Sequence, residues 1–229
     1  MTPHTELLPE PLPADPLPVL ERWMAEAWEH GHQPNPNAMV LATAGRNEDL
    51  SARVVLCKKI VPQPGYLVFY TNYLSRKGRQ LAEYPRAAAV IHWDPLHRQV
   101  RIEGPVVQGP AADSDAYFAS RPWQNRLGAW ASVQSEPVAS RQHLKEAVLA
   151  MAERFGTPPP ARASSEADFD VPVPRPPHWG GYQLWIESIE LWVEGEGRIH
   201  DRGRWTRSLP RQDGGPFKPG PWSATRLQP

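Results

Sequence analysis

Short apolar runs separated by turn residues dominate this chain, and most are too short for helices. Runs of seven to twelve residues rich in Val, Ile, Leu and aromatics predict β-strands. They lie at 38–44, 51–61, 66–72, 87–93 and 98–109. More strand-like runs joined by Gly turns follow residue 181. Because no regular alternation of strand and helix appears, the pattern predicts an antiparallel rather than a parallel sheet.

Helical spacing of apolar residues predicts a few helices between the strands. The first begins at Asp15-Pro16 and ends at Gly31, since proline suits the first turn of a helix and glycine its C-terminal end. Further helices are predicted at 75–85, around Tyr117 and at 140–156. The predicted fold class is therefore α+β, an antiparallel Greek-key-type β-barrel with peripheral helices.

The distribution of proline divides the chain. Residues 1–14 are proline-rich and acidic without periodicity, which predicts a flexible N-terminal arm. Residues 15–229 are predicted to form a single domain. Within it, the proline-rich segment 157–178 is predicted to be a loop or insertion.

Composition excludes several classes of protein. Lys plus Arg and Asp plus Glu both number 25, and basic residues do not alternate with aromatics, which disfavours nucleic acid as a partner. The start of the chain lacks a signal-peptide pattern, and no apolar run could span a membrane. A single cysteine, Cys57, suits a reducing compartment, so we expect a cytoplasmic protein. No metal-binding motif, dinucleotide fingerprint or nucleophile elbow is present.

Three local patterns point to an anionic ligand. In "SRK", Ser75 would cap a helix whose first turn holds Arg76 and Lys77, where the helix dipole favours negative charge. A bound phosphate would explain two cations there; side chains reaching into water are the alternative. Tyr70 and Thr71 end the strand just before it.

Two further patterns carry cations. Tyr117 and Arg121 are four residues apart, so on a helix they share a face and could bind a second phosphate or simply pack together. If "RIHDR" at 198–202 is a β-strand, Arg198, His200 and Arg202 share one face and Ile199 points into the core. A solvated edge strand and an anion site both fit this pattern. In "RVVLCK", strand parity places Arg53 and Lys58 on opposite faces.

Taken in order, these motifs resemble the pyridoxamine 5′-phosphate oxidase family. The matching pieces run from about residue 12 to the C-terminus: "LPADPLPVLERW", "PNAMVLATA", "RVVLCK", "VFYTN", "SRKGRQL", "RQVRIEG", "YFASRP", "LGAWAS", "QS", "ELW", "RIHDR" and "RLQP". The resemblance implies a split β-barrel that binds FMN at a homodimer interface. It also implies oxidation of pyridoxamine or pyridoxine 5′-phosphate to pyridoxal 5′-phosphate, with hydride transfer to the flavin and release of H2O2 from O2.

The resemblance also assigns roles to residues. Those implied to bind FMN are Arg53, Lys58, Tyr70, Thr71, Arg76, Lys77, Gln99, Gln134, Ser135, Trp192 and Arg202. Those implied to bind the substrate are Lys58, Tyr117, Arg121, Asn125, Arg198 and His200, of which Arg198 and His200 lie over the reacting ring as the catalytic pair.

The chain departs from the family pattern in two places. Asn125 stands where family members usually carry serine, and "LLPEP" replaces an arm that often holds paired arginines over the substrate. These departures leave two alternatives open. One is a flavin oxidase or reductase of the same fold with another substrate, such as a phenazine precursor. The other is a non-catalytic carrier of FMN or pyridoxal phosphate.

Overall fold

The computed structural model describes residues 6–46, 49–158, 172–211 and 214–229. Within these ranges the chain forms five α-helices and ten β-strands. The helices are α1 Leu17–His30, α2 Arg76–Glu83, α3 Ala111–Ala119, α4 Trp123–Ala131 and α5 Arg141–Phe155. The strands are β1 Ala38–Ala44, β2 Leu50–Leu56, β3 Lys59–Val61, β4 Tyr66–Asn72, β5 Arg86–Trp93, β6 Arg98–Gln108, β7 Trp179–Trp185, β8 Ser188–Val193, β9 Asp201–Thr206 and β10 Ser223–Arg226.

The strands build an antiparallel sheet, which confirms the predicted α+β class. Seven of them follow the order β10-β9-β8-β6-β5-β1-β2. Beyond this path, β4 pairs with β3 and β7, and β7 also pairs with β6. Side chains alternate between a buried and a more exposed face along β1, β5 and β6. The buried face carries large apolar residues such as Leu41, Trp93 and Ile102. The buried face forms the hydrophobic core, and the opposite face of the same strands is left to carry polar side chains.

The predicted ends of α1 and α5 follow from their capping residues. Gly31 (φ 62°) and Gly156 (φ 66°) adopt the left-handed conformation just after each helix. Ser140 caps α5 by accepting from the N–H of His143 at 3.1 Å. At α1 the residue at the cap position is Pro16, and Asp15 accepts from the N–H of Leu17 at 2.9 Å.

The run 51–61, predicted as one strand, is two. β2 pairs with β1 as far as Leu56, and from Lys58 onward the chain pairs with β4. The N–H of Cys57 donates to Asn37 at 2.9 Å and that of Lys58 to Val68 at 2.8 Å, which marks the exchange of partners. Arg53 therefore lies within a strand, whereas Lys58 follows one, so strand parity does not relate them.

The strand predicted for "RIHDR" was also wrong in its first half. Glu196–Arg198 is a short 3₁₀ helix, and β9 begins only at Asp201. Arg198 adopts a left-handed φ of 66°, so it does not alternate with His200 and Arg202. Ile199 is 76% exposed rather than packed in the core. The Gly195–Gly197 turn explains this outcome, because it interrupts extended backbone before the motif.

The described residues divide into two compact units. The first takes in the described parts of Met1–Phe69, Tyr84–Val107 and Gln183–Pro229, and the second those of Tyr70–Glu83 and Gln108–Tyr182. In the second unit, Trp123 and Leu127 of α4 pack with Ala152 of α5 and with Val173. Within the predicted loop 157–178, residues 159–171 lie outside the described residues, and 172–178 contain neither helix nor strand.

In the first unit, residues 6–14 contact β9 and β10. Leu8 is buried, and its N–H donates to Asp201 at 2.8 Å. Arg226 donates to the carbonyl of Pro9 at 2.9 Å, and the Trp205 indole donates to that of Pro13 at 2.7 Å. These bonds hold the second half of the segment that we expected to be a flexible arm. The predicted boundary at residue 14 and the single domain over 15–229 stay predictions.

No helix in the described part of the chain is both long enough and apolar enough to cross a bilayer.

Candidate functional site

The N-terminal turn of α2, in the second unit, gathers five of the predicted cofactor residues. Lys77 is 7% exposed, and its ammonium donates to Thr71 Oγ1 at 3.0 Å, Ser75 Oγ at 3.2 Å and Gln134 Oε1 at 2.7 Å. The N–H of Arg76 donates to Ser135 Oγ at 3.1 Å. All these partners are uncharged oxygens. A buried ammonium that donates to neutral oxygens beside a helix N-terminus is a group that could also bind an anion such as phosphate.

The two cations of "SRK" thus differ. Lys77 is buried and does not reach into water, whereas Arg76 is exposed. Ser75 is fully buried and accepts from the N–H of Gly78 at 3.3 Å, as its predicted capping role requires.

An aromatic stack adjoins this turn within the second unit. The rings of Tyr70 and Tyr117 stack at a centroid distance of 4.0 Å, and Tyr70 also stacks on Trp179 at 5.5 Å. The Arg121 guanidinium lies over the Trp179 ring at 4.7 Å. Arg121 is not on the same helix as Tyr117, because α3 ends at Ala119, which corrects the predicted shared helical face. The stack rather than helical spacing positions Arg121.

A cavity of about 310 Å³ opens beside Arg121 in this unit. Its lining residues are Asn72, Arg121, Gln124, Asn125, Gly128, Ala129, Ser132, Gln134 and Trp179. Nη1 of Arg121 and Oε1 of Gln124 are buried and have no hydrogen-bond partner among the described residues. Burial lowers the pKa of Arg121, with the nearby Arg126 charge adding to the effect and Tyr117 opposing it. A guanidinium whose buried Nη1 lacks a partner, beside a cavity, suits an anionic ligand.

Sequence reasoning missed Gln124 and Trp179. Trp179 has a detectable signal, since it precedes a Gly pair. A Cβ at Gly180 would lie 2.1 Å from Tyr73 Oη, and one at Gly181 would lie 2.9 Å from Tyr70 Cε1. The two glycines therefore let aromatic rings approach β7. Gln124 has no sequence signal that we can identify.

In the first unit, three predicted cofactor residues form a row across adjacent strands. Gln99 of β6 is paired with Trp192 of β8, which is paired with Arg202 of β9. Directly paired residues lie on the same sheet face, so the three side chains project together. Arg202 donates from Nε to Glu190 Oε1 at 2.9 Å and from Nη1 to the Gln228 carbonyl at 2.9 Å. This row could not be found from any single motif.

One member of the catalytic pair implied by the resemblance, His200, lies beside this row. The rings of His200 and Trp192 are 4.7 Å apart, and the N–H of Gly195 donates to His200 Nδ1 at 3.3 Å. Arg198 is exposed. The turn that breaks the predicted strand therefore presents one histidine packed on tryptophan and one exposed arginine.

The remaining predicted residues of the first unit, Arg53 and Lys58, lie on β2, the last strand of the path, and just after it. Arg53 Nη1 donates to Thr43 Oγ1 at 2.7 Å and to the Leu41 carbonyl at 3.0 Å, and Arg53 also bonds Ser51. Lys58 is exposed and lines a second cavity, of about 320 Å³, together with Cys57. Burial raises the pKa of Cys57 to about 12, so this thiol stays protonated near neutral pH and is a poor nucleophile.

Each group of residues fits one part of FMN on chemical grounds. In the second unit, Lys77, Thr71 and Ser135 would offer the cationic and hydroxyl donors that a phosphate needs. In the first unit, Trp192 and Gln99 would offer the flat apolar and hydrogen-bonding neighbours that a flavin ring needs. The unsatisfied Arg121 Nη1 of the second unit would suit another anionic group.

Comparison with solved structures assigns the fold to the split-barrel class. The crystal structure of PhzG from Burkholderia lata 383 in complex with tetrahydrophenazine-1-carboxylic acid superposes with a TM-score of 0.77 at 28% identity, covering 95% of this chain and 94% of that one. A pyridoxamine 5′-phosphate oxidase-related, FMN-binding protein from Nostoc punctiforme has a TM-score of 0.61 at 15% identity, covering 95% and 98%.

Comparison of sequences identifies the family within this split-barrel class. The family model described as "Pyridoxamine 5′-phosphate oxidase" matches residues 26–154, and that described as "Pyridoxine 5′-phosphate oxidase C-terminal dimerisation region" matches residues 179–229. A pyridoxine/pyridoxamine 5′-phosphate oxidase of Burkholderia lata is 46% identical, covering 94% of this chain and 89% of that protein. One from Gluconobacter oxydans is 42% identical, covering 95% and 96%. The chain therefore belongs to the pyridoxamine 5′-phosphate oxidase family.

Proposed function

We propose that this protein is an FMN-dependent oxidase that converts pyridoxamine or pyridoxine 5′-phosphate to pyridoxal 5′-phosphate, consuming O2 and releasing H2O2. The observation that carries the proposal is the cavity beside Arg121, whose buried Nη1 has no partner among the described residues. Family membership adds the reaction class, and the names of the 42–46% identical relatives add the substrate class.

One set of residues would bind the FMN phosphate and a second set the rest of the cofactor. Lys77, Thr71, Arg76, Gln134 and Ser135 would hold the phosphate of FMN. Arg53, Lys58, Tyr70, Gln99, Trp192 and Arg202 complete the proposed cofactor set. When bound, FMN supplies a two-electron acceptor that O2 can reoxidise.

The substrate would be held by its own phosphate. Arg121, with its unsatisfied donor, would bind that phosphate together with Tyr117, Asn125 and Lys58. The stack on Trp179 holds the Arg121 guanidinium in place, so little rotamer freedom is lost when an anion binds. Arg198 and His200 would lie over the substrate ring, with His200 oriented by Trp192 and by the N–H of Gly195.

We further propose a homodimer that binds FMN at its interface, in the cytoplasm. The match to a family dimerisation region supports the assembly. The outer face of β1 and β2 supports it too, since Val40 and Val54 are cross-strand partners that are 43% and 65% exposed. A single cysteine is consistent with a reducing compartment.

Anaerobic titration tests the proposed activity. Purified protein should be yellow or become so on adding FMN, and pyridoxamine or pyridoxine 5′-phosphate should bleach the flavin absorbance. Admitting air should restore it with peroxide formation. A protein that cannot be loaded with FMN would refute the proposal. Tight binding of FMN without bleaching by any substrate would indicate a carrier instead.

A second candidate is oxidation of a phenazine precursor, favoured by the structural similarity to PhzG. That substrate carries a carboxylate and no phosphate, so it would not need the full set of Lys58, Tyr117 and Arg121. Bleaching by a dihydro- or tetrahydrophenazine carboxylate, but by neither phosphorylated vitamer, would favour this function over the first.

A further inference from the structure

A buried carboxylate lies behind the predicted cofactor row in the first unit. The Glu190 side chain, on β8, is 7% exposed. Its Oε1 accepts from Arg202 Nε at 2.9 Å and lies 2.9 Å from Arg202 Nη2, while its Oε2 is 3.3 Å from Arg101 Nη1. Glu190 is therefore paired with one arginine from each neighbouring strand, β9 and β6.

The sheet register explains why these groups meet. Glu190 pairs directly with Arg101 and Arg204, and Trp192 pairs with Arg202. Arg202 is thus the diagonal neighbour of Glu190 on the same face, within reach of a long side chain. The register leaves Glu190 beside the proposed FMN residues without itself being one of them.

The contacts of Arg202 leave donors for a ligand. Its guanidinium has five N–H bonds. Nε is used by Glu190, and Nη1 donates to the Gln228 carbonyl. Each terminal nitrogen carries two N–H bonds, so one on Nη1 remains after the Gln228 bond. The Glu190 carboxylate and the Gln228 carbonyl fix the plane of the guanidinium, and its remaining N–H groups can donate to a third acceptor.

We propose that Glu190 is a positioning residue that orients Arg202 for FMN. The inference rests on the proposed function, because it takes Arg202 as a cofactor-binding residue. A free arginine side chain loses much rotamer entropy on binding, and Glu190 removes that loss by fixing the guanidinium beforehand. The carboxylate also balances the charge of a cation that is largely withdrawn from water.

The measurement is FMN affinity, by quenching of flavin fluorescence when purified apoprotein is titrated with FMN. Glu190→Gln keeps the side-chain shape and removes the charge, and it should raise the FMN Kd by about tenfold. The matched control is Glu103→Gln. Glu103 also pairs with Arg101, at 3.1 Å, but among the described residues no hydrogen bond or ion pair joins its side chain to Arg202, so the Kd of this variant should stay within about twofold of wild type.

A double-mutant cycle separates positioning from a merely structural role. If Glu190 acts through Arg202, then Glu190→Gln should change the Kd hardly at all when Arg202→Gln is already present. An equal loss in both backgrounds would overturn the proposal. If Glu190→Gln does not fold, as judged by thermal unfolding of the apoprotein, Glu190→Asp takes its place, since it keeps the charge and draws the carboxylate back by one methylene.

The two hypotheses fail in different ways. Wild-type protein that binds no FMN would refute the proposed function. Wild-type protein that binds FMN with a Kd unchanged by Glu190→Gln or Glu190→Asp would refute the role of Glu190 alone.

Discussion

The Lys77 ammonium is buried in the second unit and donates to the oxygens of Thr71, Ser75 and Gln134. Charge-assisted hydrogen bonds of this kind contribute about 1.5–3 kcal/mol each. If Lys77 holds the FMN phosphate, Lys77→Met should raise the FMN Kd by about ten- to a hundredfold. Fluorescence titration of the apoprotein measures this. Lys145→Met, at an exposed lysine of α5 outside the proposed site, is the control, and an equal effect of both changes would contradict the assignment.

Arg198 combines an unusual backbone with a proposed role over the substrate. Its φ of 66° costs an ordinary residue about 1–2 kcal/mol relative to glycine. Arg198→Gly should therefore leave the melting temperature unchanged or higher, while turnover of pyridoxamine phosphate falls by about ten- to a hundredfold. FMN affinity should be retained. Thermal unfolding and peroxide release are the measurements. Arg198→Lys, which keeps the charge, should lose less turnover, and full activity of the glycine variant would exclude the proposed role.

At the scale of elements, the position of α2 depends on the close approach of its Gly78 to the backbone of Tyr73. A Cβ at Gly78 would lie 2.1 Å from the Tyr73 carbonyl oxygen, within the second unit. Gly78→Ala should therefore displace the first turn of α2, which carries Lys77, and weaken FMN binding although glycine contributes no functional group. Gly128→Ala, in α4 with no atom within 4 Å of the new Cβ, should instead raise the melting temperature, because alanine favours helix. Unchanged FMN affinity in Gly78→Ala would show that the turn tolerates the shift.

The element boundaries show what local patterns encode. The C-terminal ends of α1 and α5 were predicted because Gly31 and Gly156 act on their own neighbours. The break between β2 and β3 was not, because "SARVVLCKKIV" is apolar and β-branched throughout. At this break the backbone stops pairing with β1 and begins to pair with β4. Because pairing with a distant strand depends on tertiary structure, the local sequence pattern does not indicate it.

At the scale of the whole molecule, the exposed cross-strand pair of Val40 on β1 and Val54 on β2 predicts self-association. Val54→Asp would place a charge in the proposed interface, so the protein should sediment as a monomer and lose FMN. Wild-type protein should likewise lose flavin when diluted below its dimer dissociation constant. Leu149→Asp, at a 44% exposed leucine on α5, is the matched control and should leave the dimer intact. A Val54→Asp variant that remains a flavin-bound dimer would place the interface elsewhere.

The sequence by itself determined the α+β class, most element positions, the C-terminal ends of α1 and α5, and the family. These properties depend on residues close along the chain, or on motifs whose order survives without coordinates. Only the tertiary structure decided which side chains meet. Lys77 and Gln134 are 57 residues apart, yet their side chains bond. The row of Gln99, Trp192 and Arg202 depends on strand register. Register and burial are long-range outcomes of packing, so no local pattern could have specified them.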